Sequence, residues 1–376
     1  MSPEKMSNMK QIFNGVYAVS VLSGTIIGVG IFALPYVTLQ LGFWVMLGYF
    51  VVLGVLSVMV HMCFGELSLM TPDKKRLPGF VKMYLGSFWE KIAIVSSVIG
   101  AFGAMLAYSV VGGEFLEKLL SPVFGGSSIV FILIYFFAGT ILIFLGIKAI
   151  ASIEFWGLIL FFVALLAIFL QGKNLINNNH FFANPDWSQF FLPFGVILFS
   201  LWGTDLIPEI EEMLGSKKQM LRKVILISML MAIVVYFFFI YVILGITGSN
   251  TTELALTGLE QVLGRGVVGW ALFFGILTTF TSFITLGLTL KRTFCYDLKI
   301  KENLAWLITC FPPLVLFLFG FNNFISILSF VGGIMLGVNA ILILLMYQKT
   351  TNSKLAYPLV LVFSLGILFQ IIYTVK

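Results

Sequence analysis

The sequence predicts an all-α protein that crosses a membrane about eleven times. Of its 376 residues, 60% are hydrophobic and only 10% are charged, whereas a soluble domain usually carries about 25% charged residues. So few charges could not cover a surface exposed to water. The apolar residues also form long runs, many of them near the ~20 residues that cross a bilayer as a helix. These observations favour a helical membrane bundle over every soluble class.

Eleven apolar segments, numbered here in chain order, can be delimited. They cover residues 12–40, 43–70, 89–119, 127–147, 149–171, 188–213, 221–247, 262–290, 303–320, 323–347 and 355–375. The first segment has no small-residue cleavage signature, so we interpret it as a retained helix and not as a signal peptide. The polar stretches between segments are only loop-sized. We therefore expect one transmembrane domain over residues 1–376.

The basic residues predict the orientation of the bundle. Of the 22 Lys and Arg residues, eighteen fall on the side of the N-terminus when the segments alternate. The other four are Lys118, Lys173, Arg265 and Lys376. Because cytoplasmic loops carry an excess of Lys and Arg, we expect the N-terminus in the cytoplasm and the C-terminus outside. The +6 net charge then reflects orientation in a lipid bilayer and no nucleic acid partner. The short tails favour the plasma (inner) membrane of a prokaryote.

Enzymes and metal proteins are disfavoured by the reactive residues. Cys63, Cys295 and Cys310 have neither disulfide nor metal-site spacing. The two histidines, His61 and His180, are far apart in the sequence. We expect no catalytic residues and no metal cluster. A channel is a further alternative, but no filter loop is visible, and helices broken in mid-membrane are typical of carriers.

Segments 1 and 6 share an internal repeat. Gly30, Pro35 and Gly42 in and after segment 1 recur 173 residues later as Gly203, Pro208 and Gly215. The repeat unit would hold five helices, over residues 12–171 and 188–348, and would leave 355–375 as an extra helix. Because five is odd, the two copies have opposite orientations in the membrane. This is the inverted repeat of many secondary transporters.

Segment 1 contains a predicted helix break. Gly24, Gly28 and Gly30 lie within seven residues, and each glycine costs a helix roughly 1 kcal/mol relative to alanine. The backbone groups that a break frees must face protein, water or a ligand, because lipid cannot satisfy them. The half-helix after the break directs its N–H groups at that point, which suits a carboxylate. The alternative is close helix packing on small residues.

Segment 6 contains the second predicted break, at Gly203 and Pro208, with Asp205 about halfway along. A carboxylate at this depth is costly and should face a cavity or a partner. Asp205 could bind a substrate ammonium group, carry a coupling proton, or cap the second half-helix. Trp202 could cover the substrate or simply pack. Further on, Glu209 with its acidic neighbours and the following basic run could form a cytoplasmic gate or be solvated loop charge.

Three stretches resemble the amino acid–polyamine–organocation superfamily, in particular the amino acid/auxin permeases and the aromatic amino acid permeases. They are Gly24–Pro35, Gly65–Gly86 and Trp202–Lys223. The resemblance implies the leucine-transporter-type fold, with two inverted five-helix repeats and with helices 1 and 6 broken at the centre. It also implies a secondary active transporter that moves amino acids by alternating access.

The resemblance further implies where an amino acid would bind. Its carboxylate would lie on the backbone of segment 1, and its ammonium group on carbonyls of segment 6. Tyr108 occupies a position where relatives place an aromatic side chain over the substrate, although it could simply pack. The implied substrate-binding residues are Thr25, Ile26, Gly28, Gly30, Tyr108, Ser200, Leu201, Trp202 and Asp205.

The resemblance also implies a possible sodium site between segments 1 and 8. Its ligands would be the carbonyls of Gly24, Ile27 and Thr278 and the hydroxyls of Thr281 and Ser282, which are oxygens of the kind hard cations prefer. The alternative is that these hydroxyls bond back to their own helix.

Two departures from relatives narrow the choice of coupling ion. Ile31 replaces a side-chain amide that serves a second sodium in some relatives, and Phe161 replaces a lysine that substitutes for sodium in others. We expect symport of a neutral or aromatic amino acid with sodium, and no other cofactor. A proton-coupled or uncoupled carrier of another small amine or solute is the alternative. The oligomeric state has no signature in the sequence.

Overall fold

A computed structural model of the chain describes residues 3–71, 75–146, 150–182 and 185–375, and every regular element in them is helical. Lys74, Lys148 and Lys376, which count in the charge asymmetry, lie outside these ranges. The α-helices are α1 (Pro3–Ile27), α2 (Leu34–Leu41), α3 (Phe43–Met70), α4 (Leu77–Leu85), α5 (Ser87–Phe124), α6 (Ser128–Leu145), α7 (Ile150–Gly172), α8 (Leu192–Ser200), α9 (Ile207–Leu214), α10 (Leu221–Thr247), α11 (Ala255–Leu263), α12 (Arg265–Tyr296), α13 (Glu302–Leu318), α14 (Phe324–Phe330), α15 (Gly337–Thr351) and α16 (Ala356–Val375).

Each predicted segment corresponds to a helix or a pair of helices. Within the described ranges, nine helical stretches are long and apolar enough to cross a membrane. One of them, Leu192–Asn250, contains two predicted segments, and the shorter helix Glu302–Leu318 accounts for another. The prediction of an all-α membrane protein with about eleven crossings is therefore confirmed.

Segments 1 and 6 are broken as predicted. A 3₁₀ turn, Val29–Ala33, separates α1 from α2, and a second one, Thr204–Leu206, lies between α8 and α9. Helices α2 and α9 are each eight residues long and have a proline in the first turn. Each ends at a glycine with positive φ, 76° at Gly42 and 54° at Gly215, a conformation that glycine adopts without steric cost.

The repeat extends beyond the broken helices. Helices α2 and α9 begin at Leu34 and Ile207, which is again an offset of 173 residues. Nine-residue helices α4 and α11 each run through a glycine into a long helix, α5 or α12. These glycines, Gly86 and Gly264, have φ of 99° and 73°. The shared order supports the inverted repeat, while the residue limits of its two halves stay a prediction.

The broken helices pack at the centre of the bundle. Helix α1 contacts α7, α9 and α10, and α12 contacts α5 and α7. Helix α8 approaches a π-helical stretch, Val331–Leu336, between α14 and α15 so closely that a Cβ on Gly332 would lie 1.9 Å from the Gly195 carbonyl oxygen. Helix α16 packs on α15 and α8 from outside.

The outer faces and the two ends of the bundle differ in chemistry. Large apolar side chains such as Val51, Ile134 and Leu166 are more than half exposed, which suits a face in contact with lipid. We call the end of the bundle that carries Arg76, Arg222 and Arg292 the basic end. The other end, which carries Lys118 and Arg265, is called the opposite end.

Candidate substrate and ion sites

A central cavity of about 60 Å³ lies between the two breaks. It exceeds several-fold the ~10–15 Å³ that one water molecule requires. Its walls come from both broken helices and from α5, α12 and the π-helical stretch with α15. Seven of the nine predicted substrate-binding residues line it: Thr25, Ile26, Gly28, Gly30, Tyr108, Trp202 and Asp205.

The other two predicted residues, Ser200 and Leu201, lie behind the cavity wall. The Ser200 hydroxyl donates to the Val196 carbonyl at 2.8 Å, and Leu201 is fully buried. A Cβ on Gly30 would lie 2.4 Å from Ser200 Oγ and 2.9 Å from Ser200 Cα. The two breaks therefore touch at this glycine. Gly30 packs closely against Ser200 and also lines the cavity. The two alternatives derived from the sequence are therefore both true of this glycine.

A similar crowding occurs at Gly28. A Cβ there would lie 2.3 Å from the hydroxyl oxygen of Tyr108, so the Tyr108 hydroxyl sits directly over the first break. The 3₁₀ turn that follows, Val29–Ala33, has no side-chain cap. Because the first N–H groups of a helix lack intrahelical partners, the backbone of Val29 and Gly30 presents donors where it lines the cavity.

Tyr236 of α10 joins the two breaks. Its buried hydroxyl donates to both the Ile26 carbonyl and the Ser200 carbonyl. A phenol has a single proton, so the two carbonyls share one donor. The sequence did not predict a role for Tyr236. The only feature that could have indicated one is a hydroxyl group within a long apolar segment. It satisfies carbonyls that the breaks release at membrane depth.

His61 of α3 holds the second break. The Gly203 N–H donates to His61 Nε2 at 2.9 Å, and His61 Nδ1 lies 2.7 Å from the Ser57 carbonyl. A carbonyl only accepts and a backbone N–H only donates, so Nδ1 carries the proton and the ring is neutral. The ring also meets Trp202 edge-on at 5.8 Å. The second break thus has its freed N–H bonded by a side chain.

Asp205 lies in the 3₁₀ turn Thr204–Leu206. It lines the central cavity and also a cavity of about 30 Å³ toward the basic end. The residues at the N-cap positions are Gly203 and Leu206, and neither makes a side-chain cap. In the part of the chain that the structure describes, Asp205 forms no ion pair. Its carboxylate is therefore available to a cation in the cavity.

Trp202 contributes a polar atom beside this carboxylate. Its indole interacts with Asp205 but does not reach hydrogen-bond geometry, and its N–H is buried without another partner. Only 7% of the residue is exposed. The ring is buried, yet the residue lines the cavity. Both alternatives for Trp202, packing and contact with the substrate, therefore fit the structure.

A smaller cavity of about 10 Å³ contains four of the five predicted sodium ligands, Gly24, Ile27, Thr278 and Thr281. Its size is that of a single water molecule or ion. Ser282 is buried but does not line it. Leu158 and Phe161 form an apolar wall.

The threonine hydroxyls of this cavity bond back to their own helix. Thr278 Oγ1 donates to the Phe274 carbonyl at 2.9 Å, and Thr281 Oγ1 donates to the Thr278 carbonyl at 3.0 Å. Each hydroxyl oxygen still has lone pairs that can accept or coordinate. The arrangement is compatible both with an ion site and with the back-bonded alternative.

Ionic contacts join three elements at the basic end, and we call them the latch. Its members are Arg76 before α4, Glu209 and Glu212 of α9, Arg292 of α12 and Asp297 after α12. Arg76 Nε lies 2.8 Å from Glu209 Oε1, and its Nη1 lies 3.5 Å from Glu212 Oε1. Arg292 approaches Glu209 at 3.7 Å. The acidic run was predicted as a gate or as solvated charge. Glu209 and Glu212 pair with basic residues that are distant in the sequence, whereas Glu211 pairs with Lys218 of the following basic run at 3.3 Å.

Asp297 anchors the latch through backbone donors. The N–H groups of Arg76 and Gly79 donate to its carboxylate at 3.4 and 3.2 Å. Burial raises the pKa of Asp297 to about 6, although these two hydrogen bonds and the Arg76 charge act in the opposite direction. The carboxylate therefore titrates near neutral pH while the latch is closed.

The comparison with known families decides the class of protein. The family model for tryptophan/tyrosine permeases matches residues 10–374. This chain belongs to the tryptophan/tyrosine permease family. It is accordingly an amino acid permease of the secondary transporter class and not an enzyme, as predicted. The narrower assignment to a branch of the superfamily stays a prediction.

Solved structures of transporters share the fold. MhsT in complex with L-phenylalanine is 15% identical with a TM-score of 0.70, over 96% of this chain and 98% of that chain. MHP1, a nucleobase-cation-symport-1 family transporter in a closed conformation with bromovinylhydantoin bound, is 13% identical with a TM-score of 0.69, over 96% and 90%. At these identities the likeness concerns the fold alone. No curated protein sequence matches the chain.

Proposed function

We propose that this protein carries an aromatic amino acid across the plasma membrane of a prokaryote by alternating access, in symport with sodium. The observation that carries the proposal is the central cavity between two broken helices, with an uncapped backbone at one break and Asp205 at the other. The family description, tryptophan/tyrosine permease, supports an aromatic substrate. The phenylalanine bound to MhsT is in keeping with it.

In this proposal the two ends of a zwitterion bind the two breaks. The carboxylate accepts hydrogen bonds from the backbone N–H groups of Val29 and Gly30, at the positive end of the second half-helix. The ammonium group binds the Asp205 carboxylate and the carbonyl end of α8. Tyr108 covers the first break, and Trp202 contacts the side chain of the substrate. An opposite charge inside a dry cavity attracts strongly, which favours a zwitterion over a neutral solute.

Alternating access then requires the latch to open. The ion pairs of Arg76 with Glu209 and Glu212 tie α4 to α9, and α9 continues from the second break. We propose that the basic end faces the cytoplasm, as the positive-inside rule implies, with the N-terminus inside and the C-terminus outside. Opening of the latch would then release substrate to the cytoplasm.

Sodium is proposed to occupy the cavity of about 10 Å³. The carbonyls of Gly24, Ile27 and Thr278 and the hydroxyl of Thr281 would supply its oxygens, whereas Ser282 does not line this cavity. Its position against α1 would couple the ion to the first break. A proton on Asp205 is the second candidate, because this carboxylate lacks an ion-pair partner among the described residues and lines cavities on both of its sides.

The test is uptake of labelled tryptophan, tyrosine and phenylalanine by purified protein in liposomes. Each amino acid is offered with an inward sodium gradient alone and with an inward proton gradient alone, for the wild type, Thr281→Val and Asp205→Asn. We expect sodium-driven uptake that Thr281→Val weakens and Asp205→Asn abolishes. Proton-driven uptake lost only in Asp205→Asn would move the coupling to that carboxylate. Absence of uptake and of counterflow for all three amino acids would refute the proposed function.

A further inference from the structure

The central cavity has a second polar region, on α5 and α15. Among the described residues, four buried polar side-chain atoms that line this cavity have no hydrogen-bond partner: Thr25 Oγ1, Ser97 Oγ, Trp202 Nε1 and Asn339 Nδ2. Thr25 and Trp202 flank the breaks, whereas Ser97 lies on α5 and Asn339 on α15. Buried polar groups are nearly always hydrogen-bonded. Ser97 and Asn339 each direct an unpaired polar atom at the same cavity, which indicates a ligand that hydrogen-bonds to both.

Asn339 is hydrogen-bonded through its other amide atom. Asn339 is only 1% exposed, and its Oδ1 accepts a hydrogen bond of 2.6 Å from Ser96 Oγ. The alternative acceptor for that hydroxyl, the Ala93 carbonyl, is farther away at 3.3 Å. The Ser96 bond thereby leaves the Nδ2 donor of Asn339 unused. Ser97, the next residue on α5, contributes a hydroxyl that can both donate and accept.

The wall between these residues and the breaks is formed by small and aliphatic residues. Along one face of α5, at spacings of three and four residues, Gly100, Ala101 and Ala104 separate Ser97 from Tyr108. Val331 and Leu336 line the same cavity from the π-helical stretch. We call this part of the cavity the slot, and its small and aliphatic lining suits an aromatic ring. Ser97 and Tyr108 are about 16 Å apart along the axis at 1.5 Å per residue, so the polar pair marks the far end.

We propose that Ser97 and Asn339 bind the ring hydroxyl of a phenolic amino acid and so determine which aromatic substrate the transporter prefers. The inference rests on the proposed function, because the zwitterion at the breaks directs the ring along the slot. The phenol oxygen accepts from Asn339 Nδ2, and the phenol O–H donates to Ser97 Oγ. An indole N–H satisfies Ser97 alone, and a phenyl ring satisfies neither. A site built to hydrogen-bond a hydroxyl rejects the analogue that lacks it.

The test is competition for uptake of labelled L-tyrosine into liposomes by unlabelled tyrosine, tryptophan and phenylalanine. In the wild type, we expect phenylalanine to compete at least about tenfold more weakly than tyrosine, with tryptophan in between. Asn339→Leu and Ser97→Ala should reduce the tyrosine–phenylalanine difference to less than about threefold. The matched control is Thr309→Val on α13, because the Thr309 hydroxyl is also buried and unpaired but its residue does not line the cavity. It should keep the wild-type ratio.

Phenylalanine uptake also reports whether each variant is folded. A variant that transports phenylalanine but keeps the wild-type preference overturns the assignment. Equal losses for all three amino acids also overturn it and place Ser97 and Asn339 on an exit path instead. A wild type that transports aromatic amino acids without preferring tyrosine overturns the subsite alone. A wild type that transports none of them overturns the proposed function and the subsite with it.

Discussion

The two breaks are related by the repeat, yet their freed backbone groups are treated differently. At the first break, the turn Val29–Ala33 begins without a side-chain cap beside the cavity. At the second break, His61 binds the Gly203 N–H, and Asp205 brings a carboxylate into the cavity. One break is therefore left with donors and the other with a negative charge. The difference is complementary to a zwitterion, whose carboxylate and ammonium group need opposite partners.

The strongest way to disturb this pair of breaks is to force them apart. Gly30→Ala places a Cβ 2.9 Å from Ser200 Cα, and a backbone atom cannot yield as the end of a side chain can. We expect uptake of aromatic amino acids to fall by about 100-fold or more, measured in liposomes. Gly48→Ala on α3 is the control, since nothing lies within 4 Å of its added Cβ. Normal uptake by Gly30→Ala would show that the breaks need not touch.

A smaller effect is expected from removing the bridge between the breaks. Tyr236→Phe leaves the Ile26 and Ser200 carbonyls without their shared donor. Each unpaired buried group costs about 1–3 kcal/mol, so the free energy of unfolding should fall by about 2–6 kcal/mol in SDS titrations of mixed micelles. Tyr49→Phe, which loses one hydrogen bond to the Phe190 carbonyl at the opposite end, should lose much less. If both variants lost the same free energy of unfolding, Tyr236 would not stabilise the breaks more than an ordinary peripheral hydrogen bond does.

Removing the side chain that serves only the second break should cost about half as much. His61→Leu leaves the Gly203 N–H unpaired, which costs about 1–3 kcal/mol in the same unfolding assay. The control is Ser57→Ala, because the Ser57 hydroxyl has no partner and its carbonyl still binds His61. The idea that His61 holds the break would be wrong if the two substitutions proved equally mild.

The smallest expected effect concerns pH at the latch. Because the pKa of Asp297 is raised to about 6 while the latch is closed, the closed form binds a proton more tightly than an open form in which water reaches this carboxylate. Lower pH therefore favours closure, and stabilisation of the closed form is lost as pH rises through about 6. Acidifying the basic side from pH 7 to 5 should slow counterflow by up to about tenfold.

The matched variant for this pH effect is Asp297→Asn. It does not titrate, and its single amide oxygen can accept from only one of the Arg76 and Gly79 N–H groups, which donate to different oxygens of Asp297. We expect counterflow by Asp297→Asn to vary little between pH 5 and 7. A variant that slows with acid as much as the wild type would assign the pH dependence to another group.

Local features of the sequence account for what could be predicted. Apolar length defined the helices, with bounds that match α3 and α10, and glycine with proline marked both breaks because their backbone effects are local. The short helices α4 and α11 and the π-helical stretch were missed, since none is long enough to cross a membrane. Tyr236, His61 and Arg76 were also missed as functional contacts. Their partners across the bundle lie more than a hundred residues away or, for Ser200, 36 residues away. No periodic pattern in the sequence reveals contacts at such separations.

The central claim, that the two breaks bind the two ends of a zwitterion, is tested most directly by binding. Labelled L-tryptophan is bound to the purified protein and displaced with tryptophan, with its amide, which lacks the carboxylate, and with its N-acetyl derivative, which lacks the ammonium group. We expect both analogues to compete at least about 100-fold more weakly than tryptophan, since each leaves one break unpartnered. Competition by either analogue as strong as that of tryptophan would contradict the account.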